Sequence, residues 1–277
     1  GAPSGGSGSS FMVGQSNGIA TAPAFGLNYS DKWNSKMKFS GSYFFNYTNL
    51  DNISDIYRNY ITESDSSLIY SENNTSTSIN LNHKLNAKFE YDIDTMNSIS
   101  ISPKFNFQMN NKKTSLLGNN VSNSTILLSS LDNLNSSIFD GYTFNNEISY
   151  RHKFNKKGRT ISISLLTDLN DKTGITKLNS SNYFLATSDT SMVDQEGDQR
   201  TKGMGFSTNL AYTEPLGKKA QLMLNYSASY MRNDINKETD NYDAVSGEYI
   251  SLDSILTNIY DNTYLTHKPG IGLNYNT

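Results

Sequence analysis

The 277 residues carry a net charge of −3 and no cysteine, which excludes disulfides, thiolate metal sites and thiol catalysis. No stretch concentrates Lys and Arg with stacking aromatics, so nucleic acid is not an expected partner. Mean hydropathy is −0.56 and no run of about 18 apolar residues offers a transmembrane helix, but a barrel strand needs apolar residues only at alternate positions, so a membrane is not excluded.

Residues 1–18 are Gly/Ser-rich and read as a flexible linker or loop. The first hairpin follows: Phe25, Leu27 and Tyr29 alternate with small or polar residues, a short turn is expected near 30–34, and Met37, Phe39, Gly41, Tyr43, Phe45 and Tyr47 share one face. Lys38, Ser40, Ser42 and Asn46 occupy the other, and this period of two predicts a strand with one apolar and one polar face. A polar stretch near 49–75 reads as a loop. Alternation resumes from Ile79 through His83 to Tyr91, turns near 92–97, and returns through Ile99 to Met109. Pro103 is a defect in that run, because proline has no N–H for a ladder.

The same unit recurs twice more. A loop is expected near 113–137, strands run through Tyr142 to Tyr150 and Ile161 to Leu169, and their turn lies near 155–159. Another loop is expected near 174–200, then Met204 to Tyr212, a turn near 215–219, and Leu222 to Tyr230. A last loop near 234–262 precedes a ninth strand that starts near Tyr264. The expected fold class is all-β, an antiparallel up-and-down meander of about nine long strands over residues 19–277.

Short turns alternating with loops of roughly 25 residues are unusual for soluble sheets and usual for outer-membrane barrels. Aromatics sit beside the short turns (Tyr29, Trp33, Tyr91, Phe154, Tyr212), where an interfacial girdle lies. An odd ninth strand leaves bare edges, which in lipid cost several kcal/mol per polar group. The residues from Gly1 show no signal-peptide pattern and a strand-like stretch, Ile271 to Tyr275, lies at the other end, so the sequence is expected to be the interior of a longer protein. These features make it an expected part of a larger transmembrane barrel in a Gram-negative outer membrane.

The stretch GQSNGIATAPAFGLNYSDKWNSKMKFSGSYFFN, residues 14–46, resembles the barrel of TonB-dependent-receptor-like outer-membrane proteins of Bacteroidetes, the outer membrane protein β-barrel family. HKPGIGLNYN, residues 267–276, is similar to a later strand of that kind. The resemblance implies a large barrel around an N-terminal plug, energy from the TonB complex, and uptake or export of a bulky ligand. The implied partners are outer-membrane lipid, the plug and remaining strands of the parent chain, the TonB complex and a surface lipoprotein. No functional residue carries over, because no ligand motif of the family is visible here.

Individual residues point to no chemistry. His83, His152 and His267 lie on separate strands without metal-ligand spacing. Asp92-Ile93-Asp94 reads as turn chemistry, lacking the Gly and Glu of a calcium loop. Asp189, Asp194, Glu196 and Asp198 read as a solvated acidic loop. No GxSxG or paired-carboxylate signature is present, so neither an enzyme nor a cofactor is expected. Tyr57, Tyr60, Tyr183 and Phe184, in the expected outer loops, are candidate ligand contacts by stacking. The expected function is ligand binding and transport across the outer membrane. The alternative is a secreted or surface-attached β-rich adhesin without a transport role, in which two apolar faces pack on each other.

Overall fold

The computed structural model describes residues 18–61, 67–122, 125–217 and 219–275. Residues 1–17, most of the expected linker, lie outside them. Eleven strands form one antiparallel sheet: β1 (Ile19–Thr21), β2 (Ala24–Lys32), β3 (Met37–Ile61), β4 (Ser67–Asp92), β5 (Asn97–Ser122), β6 (Ile126–Lys153), β7 (Thr160–Phe184), β8 (Asp189–Pro215), β9 (Ala220–Asp243), β10 (Glu248–Leu252) and β11 (Asn258–Tyr275). β1 and β2 share the outer edge of β3, and β10 and β11 share the outer edge of β9. The sheet therefore has nine lateral positions in sequence order, and among the described residues its two edge positions do not pair with each other.

The four short turns fall where alternation breaks. Asn34 Oδ1 accepts the Lys36 and Met37 N–H, and Asp94 Oδ1 accepts those of Met96 and Asn97. These side chains act as local backbone substitutes, the reason Asn and Asp favour turns. Gly158 and Gly217 sit at φ 86° and 94°, where a side chain is strained.

The long loops are a correction. Stretches 49–75, 113–137, 174–200 and 234–262 are mostly strand, continuing each hairpin beyond its apolar part. β6 alone runs 28 residues without a break, several times the usual strand length. Hydropathy alternates only where the two faces meet different surroundings. In these extensions polar residues occupy both faces and apolar ones such as Ile53, Ile56, Leu116 and Leu117 fall on either, so the alternation disappears while backbone pairing continues. Side chains add cross-strand bonds there: Asn73 to Asp55 at 2.7 Å, Thr77 to Asp51 at 2.8 Å, Gln195 to Asn241 at 2.8 Å.

Pro103 behaves as its chemistry requires. The β4–β5 ladder lapses opposite it and resumes in the same register, from Asn86↔Lys104 to Phe89↔Ile101. Its other neighbour still pairs, Pro103↔Asn146.

Candidate functional site

Register places most apolar residues of the band strands on one face. One row runs Phe39, Phe89, Ile101, Ile148, Leu165, Thr208, Ala228 and His267 across eight lateral positions. This outward face is uncharged from Met37 to Asn49 on β3, from Tyr212 to Met204 on β8 and from Leu222 to Tyr230 on β9. No hydrophobic side chain among the described residues is buried, and Leu85, near the middle of the band, is 47% exposed. The sheet is one layer thick, and none of the described residues covers this band.

The band's upper limit is slanted. The first outward charge is Asp51 on β3, Asp140 on β6, Asp171 on β7, Lys202 on β8 and Arg232 on β9. Arg232 lies in the row of Met204, Leu169, Phe144, Phe105, Leu85 and Tyr43, so the limit drops eight residues over six strands. At about 3.3 Å per residue and 4.8 Å per strand, that slope corresponds to about 40° between the strands and the normal to the limiting plane. Ion pairs line this limit: Arg200 to Asp171 at 3.0 Å and Arg232 to Asp261 at 2.6 Å.

At the short-turn end Trp33 stacks on Phe39 at 5.5 Å and Phe154 meets His152 edge-on at 4.6 Å. Glu214 joins two turns there. It accepts from Lys156 at 2.6 Å, from Arg159 Nε at 2.6 Å and from Tyr212 at 2.6 Å. These donors, Arg159 foremost, hold its carboxyl well below the usual carboxylate range. A lowered folded value means the contribution is complete above the ordinary glutamate value of about 4.3 and fades as acid protonates the folded carboxylate. Glu214→Gln is expected to lower the melting temperature at pH 7, with the deficit shrinking below about pH 4. A pH-independent deficit in paired melting curves would sink that account.

Two band histidines have hydroxyl partners on a neighbouring strand. Tyr43 Oη lies 2.7 Å from His83 Nδ1, and Tyr226 Oη lies 2.6 Å from His267 Nδ1. His152 Nδ1 instead meets Asn97 Oδ1 at 2.7 Å. The three rings remain on three strands. Tyr43→Phe leaves the His83 nitrogen without its partner on the apolar face and is expected to cost about 0.5–1.5 kcal/mol in urea titration.

The inward face is polar and hollow. A depression of about 680 Å³ spans β2 to β7, lined by Ser42, Asn86, Lys104, Asn145, Glu147 and Asp168 among others. A second of about 640 Å³ lies on the opposite, outward face in the extension, near Ile53, Lys113, Leu134, Lys177 and Tyr249. Both bring together residues from several strands, so no sequence window shows them.

The four candidate stacking residues do not converge. Tyr57 and Tyr60 are on β3, Tyr183 and Phe184 on β7, with three strands between. Tyr57 and Tyr183 lie on the outward face and Tyr60 and Phe184 on the inward one. The acidic residues Asp194, Glu196 and Asp198 are strand, not loop, and point outward on β8. Lys177 pairs with Glu196 at 2.5 Å, and Tyr249 donates to Asp194 at 2.8 Å.

No family model matches this chain, and no curated protein matches it. The architecture is an open, all-β antiparallel meander compatible with a segment of an outer-membrane barrel wall.

Proposed function

We propose that this chain forms part of the barrel wall of an outer-membrane receptor of the TonB-dependent type, binding a ligand and passing it across the membrane. The observation that carries this reading is the uncovered outward band, free of charge on β3 to β9, with its slanted limit. On β4 the band from Leu81 to Tyr91 rises about 25 Å when the strand is tilted by about 40°, close to the apolar height of outer-membrane barrels. The slope of its limit falls within the tilt of roughly 35–45° that such barrels adopt. Water leaves this apolar face without a favourable phase, whereas hydrocarbon supplies one. An adhesin would pack the band against a second apolar layer, and the described residues provide none.

In this reading Tyr91, Trp33, Phe154 and Tyr212 sit at the inner interface, and the extensions of β3 to β9 project beyond the outer leaflet. The TonB-type assignment rests on the resemblance of residues 14–46. Fractionation of washed envelopes from cells making the full-length protein tests the barrel. Extraction from the outer membrane only by detergent, with a heat-dependent mobility shift, is the expected result. A soluble or salt-washable protein without a shift would overturn it.

A further inference from the structure

The two faces of the sheet differ in charge as well as polarity. The chain is net negative, yet at the level of the apolar band the inward charges of β3 to β5 are Lys38, Lys84, Lys88 and Lys104 against one carboxylate, Glu90. Lys88 pairs with that carboxylate at 2.7 Å. Among the described residues Lys84 and Lys104 have no ion-pair partner, and both are exposed. The nearest inward acids on the next strands, Glu147 on β6 and Asp168 on β7, form no ion pair with either. The excess of acid lies instead on the outward face of the extension, where Asp51, Asp140, Asp194, Glu196 and Asp198 project.

Phe44 marks the same place. It is 42% exposed on the inward face, where its neighbours across β4 and β5 are polar, and pairs directly with Lys84, whose other neighbour is Asn106. The adjacent row holds Ser42, Asn86, Lys104 and Asn145. An exposed ring, two unpaired ammonium groups and several amides on one rigid surface form a platform for a hydrophilic anion. The ring offers a stacking plane, the ammonium groups neutralise sulfate, phosphate or carboxylate, and the amides bond polar substituents. The flanking strands hold these side chains in fixed register, so little order is lost on binding.

We propose that the inward face around Phe44, Lys84 and Lys104 binds anionic hydrophilic ligands, which names the ligand class of the receptor surface proposed above and rests on that reading. The positive field on the inward face raises the local concentration of such ligands and repels cations.

The test uses the purified full-length protein in detergent, with dextran sulfate and uncharged dextran as probes. Dextran sulfate is expected to bind in a salt-dependent manner, and dextran far more weakly. The double variant Lys84→Gln/Lys104→Gln is expected to weaken dextran sulfate binding by roughly tenfold or more. Lys113→Gln, on the outward face, serves as the control and is expected to bind as the parent does. Absence of dextran sulfate binding, or binding unchanged in the double variant, or an equal loss in Lys113→Gln, overturns the proposal. The heat-dependent mobility shift is recorded on the same samples. Anion binding that depends on Lys84 and Lys104 without a mobility shift supports the inward site while removing the barrel reading.

Discussion

Arginine in place of Leu85 is expected to cost about 2–4 kcal/mol in folding from urea into lipid vesicles, while arginine at the next residue, Asn86, is expected to change stability by less than about 0.5 kcal/mol. Leu85 lies near the middle of the outward band, between Tyr43 and Phe105 in its row. A cation there must be desolvated, or must drag water and headgroups toward it, and the penalty falls as the site approaches an interface. Asn86 lies on the opposite face, in the polar depression beside Ser42 and Lys104. The two substitutions share strand, height and chemistry, and differ only in face. Equal costs at the two sites would remove the lipid-facing assignment of the band.

Gly174→Val is expected to lower stability by about 1–3 kcal/mol, and Phe139→Ala in the same chain to recover much of the loss. Gly174 is directly opposite Phe139 across β6 and β7, and the ring lies flat over it. A Cβ added at Gly174 falls inside that ring, so the ring has to leave its place. Glycine costs a strand order and packing on its own, and an aromatic from the neighbouring strand covers the gap. On the same face the Asn170 amide covers Gly203 opposite it, and the Tyr70 ring lies diagonally beside Gly118. A double-mutant cycle read by urea titration tests the pair. Additive losses, with no relief in the double variant, would show that the contact carries no strain.

The strands of the band were legible because their two faces meet different surroundings. Met37 to Tyr47, Ile79 to Tyr91 and Leu222 to Tyr230 alternate in hydropathy, and their turns carry Asn, Asp or Gly. The extensions were not legible. Residues such as Ser71 to Ser78 are polar on both faces and read like loop sequence, although each of them pairs with β3 and β5. Long-range pairing is what makes them strands, and local composition does not record it.

The candidate site shows the same division. Tyr57, Tyr60, Tyr183 and Phe184 looked alike as aromatics in polar stretches, but parity and register send them to two faces and two distant strands. Phe44 lies between Tyr43 and Phe45 in the sequence, and the pairing of β3 with β4 sets it directly beside Lys84.

By itself, the sequence determined the strand period, the positions of the short turns and the presence of an apolar face on every band strand, because these depend on neighbours one to four residues away. The tertiary structure decided the slant of the band's limit, the separation of charge between the faces and the group formed by Phe44, Lys84 and Lys104. Each of these depends on the register between strands, which is set by hydrogen bonding over distances of dozens of residues. A shift of one residue in any ladder would turn that strand's apolar residues to the wrong face, so the uncharged band and the register enforce each other.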